Sequence, residues 1–490
     1  MKALLVHPAI PDTFWSFKHI LKFIRKRAAH VPLGLLTVAA LMPKDWELRL
    51  VDMNVETLTD DVIGWADMVF MGAMVVQKES VQEVITRSHA LGKPVVAGGP
   101  LFTSSWQEFP DIEHFVLNEA EITLKPFLSD LASGNPGRVY TTDEKPDITQ
   151  TPLPRWDLIN MKYYASMSVQ YSRGCPYDCE FCDIVNLNGR HPRVKSNDQM
   201  LRELQLLHDL GWRGGCFIVD DNFIGNRVKV KSFLRELIPW QQERRFPMDL
   251  FTEASVNLAQ DQELMNLMTT AGFGSVFLGL ETPAEECLVE CGKHQNRSMD
   301  LVEAVKTIQR NGMEVMGGFI IGFDNDPPNI FERQIKFIQG SGVVKAMIGL
   351  LNAIPGTRLY QRLKDEGRLL YNPTGDNCDG SLNFVPKMDA QIVKDGYLAV
   401  LDYIYSPKEY YARILEFLKD YKPTRRRRIR MMEVRAFFSS IWYLGILEKG
   451  KSKIYYWKLL AKAFLFHRRS FGEAVSSAIF GYHFRRLIQK

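Results

Sequence analysis

The first third of the chain alternates short apolar runs with amphipathic stretches. Lys2–His7, Leu48–Asp52, Met68–Ala73 and Pro94–Gly99 are runs of strand length, with His114–Leu117 a fifth. Continuous apolar runs suit strands covered on both faces. Helical periodicity returns between them, at Pro32–Leu41 and Ser80–Leu91. This alternation predicts a parallel, doubly wound sheet, a Rossmann-like domain over residues 1–142. Such sheets bind ligands in the loops at the carboxyl ends of their strands. Those loops carry Pro8, Asp52-Met53-Asn54, Ala73–Gln77 and Gly98-Gly99-Pro100. The paired glycines permit close backbone approach to a ligand or a tight turn.

Residues 143–165 hold Pro146, Pro152 and Pro154 among polar positions and read as an interdomain linker. The rhythm of strand and helix resumes over 166–370. Candidate strands are Ser166–Tyr171, Gly215–Val219, Asp249–Glu253, Ser275–Gly279, Glu314–Ile321 and Lys345–Leu351. Six strands fit a partial (β/α)6 barrel, because a full eight-stranded barrel needs about 250 residues. Catalytic groups of barrels lie at the carboxyl ends of strands. Asp220-Asp221-Asn222, Glu253, Glu281, the run Gly317–Asp324 and the turn Ile354-Pro355-Gly356-Thr357 all fall there. Solvated loop acids are the plain alternative for Asp220 and Asp221. Glu253 must be paired with an arginine or bound to a ligand, since a buried carboxylate needs a partner. From Tyr371 to Phe384 the chain reads as loop, and Asp389–Tyr405 and Pro407–Tyr421 read as amphipathic helices of a helical domain over 371–490.

The bulk numbers narrow the class. With 490 residues, 46% apolar and 24% charged, this is an ordinary globular chain of two or three domains. A formal net charge of +4 argues against a general nucleic-acid binder. The opening residues turn polar too soon for a signal peptide, no apolar run is long enough to span a bilayer, and seven mostly unpaired cysteines suit a reducing compartment, the cytoplasm. One local departure is the run Pro423–Arg430, with five arginines, followed by basic and aromatic helices. A solvated arginine cluster is the usual reading. Peripheral contact with the anionic inner face of a membrane is the other; no nucleic-acid-binding module is recognisable.

The chemistry lies in Arg173-Gly174-Cys175-Pro176-Tyr177-Asp178-Cys179-Glu180-Phe181-Cys182. Three thiolates this close can hold three corners of a 4Fe-4S cluster and leave the fourth iron open to a small molecule. Zinc is the alternative, with His191 as a fourth ligand; a disulfide suits a large chain with few cysteines poorly. Cys287 and Cys291 share a face of a short helix and read as packing residues, and Cys216 reads as core.

The cysteine spacing, the preceding Arg-Gly and Phe181 resemble the signature of the radical S-adenosylmethionine (SAM) superfamily. The resemblance implies that Cys175, Cys179 and Cys182 ligate the cluster, whose open iron binds SAM and cleaves it to a deoxyadenosyl radical. It implies SAM contacts from Asp220, Asp221, Glu253, Glu281, Gly318 and Pro355, and an external electron donor of flavodoxin or ferredoxin type. The N-terminal segments His30–Leu36, Asp52-Met53-Asn54, Val96–Pro100 and Asn118-Glu119-Ala120-Glu121 resemble the cobalamin-binding domain of the cobalamin-dependent class, with Asn118 where glycine is usual. Asp52, Asn54, Gln77, Gly98 and Gly99 are the implied cobalamin contacts. The Asp-x-His-x-x-Gly motif is absent, so no protein imidazole is expected on cobalt, and Gln77 or Met74 is placed near its lower face. The tail resembles the helical extension of a subgroup that includes hopanoid methylases. The expected activity is methyl transfer to an unactivated carbon of a small-molecule or lipid-like substrate. Cyclisation, oxidation or rearrangement by the same radical is one alternative, and a non-catalytic iron–sulfur protein on membranes is another.

Overall fold

The computed structural model describes residues 1–297, 299–425 and 429–488. The N-terminal strands are β1 (Lys2–His7), β2 (Glu47–Asp52), β3 (Met68–Gly72), β4 (Val95–Gly98), β5 (His114–Val116) and β6 (Val139–Tyr140), all parallel, in the order β2-β1-β3-β4-β5-β6. Strand order reverses beside β1, which places the ligand crevice of such a sheet at the carboxyl ends of β1 and β3. Between β1 and β2 lie α1 (Lys18–Ile24) and α2 (Leu33–Leu41); α3 (Lys78–Ala90) and α4 (Ala120–Ala132) follow β3 and β5. α3 buries Val81, Val84, Ile85 and Ser88, the spacing of one helix face. Each buried aliphatic side chain there contributes about 1.5–3 kcal/mol.

The second sheet comprises β7 (Ser166–Val169), β10 (Gly214–Ile218), β11 (Met248–Ala254), β12 (Phe273–Glu281), β13 (Glu314–Ile321) and β14 (Ala346–Leu350), parallel and in sequence order. β7 and β14 are the two edge strands and do not pair with each other, so the sheet is a curled half-barrel. β11 alternates strictly between buried and half-buried positions. Its buried side faces the surrounding helices and the other side faces the interior. A short antiparallel ribbon, β8 (Ser172–Arg173) with β9 (Arg193–Val194), brackets the cysteine loop.

Three features differ from the sequence expectation. The stretch Ser166–Tyr171 breaks after Val169, because the chain must turn into the cysteine loop. The linker is no loose tether: Trp156 and Ile148 are buried, and Gln199 Nε2 donates to the carbonyls of Ile148 and Thr151. Residues 9–31 reach across to the far end of the chain, with Phe14 against Phe484 (ring centroids 5.8 Å) and Phe17 against Phe480 (5.3 Å).

The C-terminal region is helical: α5 (Ala390–Tyr405), α6 (Pro407–Asp420), α7 (Met431–Ser440), a π-helical turn (Ile441–Leu447), α8 (Ser452–Phe466) and α9 (Phe471–Ile488). Arg426, Arg427 and Arg428 of the basic run lie outside the described residues. Its flanks are not simply solvated: Arg430 pairs with Asp249 at 2.8 Å and Arg425 lies 3.7 Å from the same carboxylate. No helix among the described residues is long and apolar enough to cross a membrane.

Candidate active site

The three thiols share one loop that follows β8. Gly174 has φ +99°, and a Cβ there would stand 2.8 Å from the Gly189 carbonyl, so the close approach of these two segments requires glycine. Asp221 accepts from the Gly174 amide at 2.7 Å and from Asn188 Nδ2 at 2.9 Å. Asp220 is 1% exposed, and its oxygens accept from the Tyr171 amide (2.7 Å) and the Ser172 hydroxyl (2.6 Å). Burial pushes its pKa up to about 7. On the other side, the Leu359 amide donates to Glu180 O (3.0 Å), Arg362 pairs with Glu180 (2.7 Å), and Asn186 Nδ2 donates to Gly356 O (2.6 Å). The turn holding Pro355 is thereby fixed beside the loop.

Burial pushes the thiols of Cys175, Cys179 and Cys182 up, the last to about 12. No three His, Cys, Asp or Glu side chains among the described residues converge as one ion would require. A cubane carries its irons at separate corners, and thiolate is their usual ligand, so three spaced thiols on one loop suit that body. Cys287 and Cys291 are buried, with their sulfurs turned to Asp326 (3.2 Å) and the Leu288 carbonyl (3.8 Å). His191 is exposed.

One residue before the loop, Arg173 crosses to the other sheet. It pairs with Glu119 at 2.7 Å and Glu121 at 2.8 Å, and Arg193 pairs with Glu119 at 2.7 Å. Both acids belong to the start of α4, just beyond β5. Asn118 has φ +60°, a left-handed conformation that asparagine tolerates, and its amide donates to Thr141 Oγ1 (3.0 Å) and Thr142 O (2.8 Å).

The half-barrel interior is aromatic. Phe217 stacks on Phe251 with centroids 4.7 Å apart, His30 stands 5.4 Å from Phe217, and Trp15 stands 4.8 Å from Phe277. Glu253 shares the Phe251 face of β11. Among the described residues it has no hydrogen bond or ion pair, and no arginine meets it. Burial first, then Asp221 and Asp220, raise its pKa to about 8.

These features bear directly on the comparisons with known proteins. The radical SAM superfamily profile matches residues 169–338, and a domain of unknown function (DUF4070) matches residues 357–490. An uncharacterized methyltransferase of Synechocystis sp. is 41% identical over 464 residues, 93% of this chain and 86% of its own. The chain belongs to the radical SAM superfamily. The hopanoid C-2 methylase of Rhodopseudomonas palustris is 36% identical over 389 residues, 78% of this chain and 73% of its own. Among solved structures, the radical SAM methyltransferase TsrM from Kitasatospora setae, with cobalamin and a 4Fe-4S cluster bound, superposes with a TM-score of 0.66 at 16% identity, covering 97% of this chain and 98% of its own.

The radical SAM fold brings together many of the residues singled out in the sequence, though several serve differently from expectation. Each oxygen of Asp220 accepts one hydrogen bond from the chain entering the loop. Asp221 holds Gly174. Glu281, at a bulge in β12 with φ +60°, pairs with Lys293. A Cβ on Gly318 would meet the Phe277 ring at 2.9 Å, so this glycine makes room for an aromatic. At the crevice of the first sheet, Gln77 is 1% exposed; its amide is used by Pro8 O and the Met74 amide, which removes it as a free contact. Asp52 accepts from Asn54 (2.7 Å) and the Tyr164 hydroxyl (3.0 Å), and Asn54 Oδ1 accepts from the Ile10 amide (2.8 Å). A Cβ on Gly98 would meet Val116 O at 2.6 Å, and Gly99 has φ +89°. Met74, 46% exposed, keeps its side chain free at this edge. Arg173, Glu119 and Glu121 were visible as motif residues, but their pairing was not. Lys293 and the aromatic lining carried no sequence signal.

Glu253 gives a pH signature. Its folded pKa lies above the unfolded carboxylate value, so the folded state binds the extra proton. Its contribution to stability is present at low pH and lost as pH rises from about 4.5 to about 8. Urea unfolding of the metal-free protein should therefore show falling stability across that window, with a flatter profile in Glu253→Gln. Identical slopes in the two proteins would contradict the assignment.

Proposed function

We propose that this chain is a cobalamin-dependent radical SAM methyltransferase acting on an unactivated carbon of a hydrophobic, lipid-like substrate. The observation that carries the reading is the ion-pair bridge from Arg173 to Glu119 and Glu121. It ties the cysteine loop to the carboxyl edge of the Rossmann-like sheet, so the two ligand-binding edges adjoin. When bound, the cluster would supply the electron that cleaves SAM, and the corrin would carry the methyl group.

The chain's own residues do the positioning. Cys175, Cys179 and Cys182 would hold the cluster, with Asp220 and Asp221 fixing the loop that carries them. Glu253, with no partner among the described residues, is the proposed contact for the cationic end of SAM, and the Pro355 turn closes the same space. Asp52, Asn54, Gly98 and Gly99 shape the crevice proposed for the corrin, with Met74 nearest to a free side-chain contact. Phe217, Phe251, Phe277 and Trp15 give the interior an apolar wall that excludes water from a radical. That wall and the likeness to a hopanoid methylase both favour a lipid-like substrate. An external flavodoxin- or ferredoxin-type donor and contact with a membrane surface complete the proposal.

The test is anaerobic expression with cobalamin, followed by mass spectrometry of the cell lipids. A lipid heavier by one methylene, present only with the wild-type chain, is expected. A product of unchanged carbon count, with SAM still cleaved, would favour oxidation or cyclisation instead.

A further inference from the structure

We propose that the amino-terminal end of the half-barrel is a docking face for an anionic bilayer, with a basic cavity for lipid phosphates and the α7–α8 hairpin as the apolar anchor. This rests on the lipid-substrate reading above and names the surface that would hold the chain on the membrane carrying such a substrate.

A cavity of about 390 Å³ opens there. Arg25, Lys26, Lys162, Arg213, Arg430 and Arg435 line it with Trp212, and no carboxylate stands among its described lining residues. These cations come from the end of α1, the linker, the approach to β10 and the start of α7, so the cluster exists only in the fold. Arg430 is paired with Asp249. Arg25, Lys162 and Arg435 have no ion pair among the described residues. Like charges gathered this way repel one another unless an anion joins them.

From this cavity α7 runs on into exposed apolar surface. Phe438 is 63% exposed and Trp442 53%; from α8, Trp457 is 46% and Phe464 59%. Trp457 Nε1 donates to Gly445 O at 3.2 Å, which lays α8 on the π-helical turn and joins the two exposed sets. An apolar surface of this kind marks an interaction site. Between residues 429 and 469 nine Lys and Arg accompany two acids. Aromatic side chains beside cations suit the interface of an anionic bilayer, where each near-surface cation adds about 1 kcal/mol. A nucleic acid would be expected to find its aromatics inside the basic groove, for stacking; here most of them stand outside it.

Flotation of the full chain with vesicles tests this. Binding is expected to vesicles of phosphatidylcholine with phosphatidylglycerol, to weaken with added salt, and to be far poorer on phosphatidylcholine alone. The variant R25Q/K162Q/R435Q should lose about 100-fold in partitioning, and F438S/W442S should also bind less. Thermal melts check folding; should the triple variant fail to fold, K162Q alone, in the linker, is read for a loss of about fivefold. Equal binding to both vesicles, or unchanged binding by the charge variants, would overturn the proposal. So would wild type that stays off vesicles while binding inorganic phosphate or RNA. SAM cleavage without lipid should be unaffected in these variants, so a wild-type failure to cleave SAM speaks against the enzymatic reading and not against docking.

Discussion

Cys179→Ala protein, reconstituted anaerobically with iron and sulfide, should lack the cluster's visible absorbance and form no 5′-deoxyadenosine from SAM. Cys179 is 8% exposed and central in the loop, so its loss would remove one of the three proposed corners. Cys291 is the informative control. It is also buried, but its sulfur faces the Leu288 carbonyl. Cys291→Ser should keep both absorbance and cleavage, with at most a modest loss of stability from a polar group in an apolar setting. If the two variants behaved alike, the loop would not be the ligand set.

The second large effect concerns the bridge between the sheets. Arg173→Met should destabilise the protein by about 3–5 kcal/mol, the cost of leaving a buried charge without its partner. The stranded group is Glu121, since Glu119 keeps Arg193. Adding Glu121→Gln should restore part of the loss, because the neutral amide has a smaller burial cost. A double-mutant cycle by urea unfolding measures that coupling. The same variant should lower methylated product per SAM cleaved, since it loosens the register of the two ligand edges. Additive single effects, with product yield unchanged, would show that the bridge positions nothing.

Much of this architecture was readable because it is local. The apolar runs that became β1, β3 and β4 are buried on both faces, and such runs have few other stable placements. The six half-barrel strands followed from the same alternation, and the three cysteines stood out by their spacing beside Arg173-Gly174 and Phe181. What escaped was non-local. Gln77 looked like a ligand contact because it follows a strand, yet its amide closes a loop against Pro8 O. Asp220 and Asp221 looked like a pair facing substrate, but backbone amides reach them first. The aromatics of segment 9–31 serve two distant partners, the half-barrel interior and α9, and no local pattern announces such partners. Asn118 looked like a departure from a glycine position; its left-handed backbone keeps the conformation glycine would supply.

Everything chemical here depends on a cluster held by three thiolates with one iron open to SAM. The most direct measurement is the electron paramagnetic resonance spectrum of the reduced, reconstituted wild-type protein, recorded with and without SAM. A 4Fe-4S signal that shifts on adding SAM is the expected result. A signal indifferent to SAM, or a protein that binds a single zinc ion and no iron, would contradict the account.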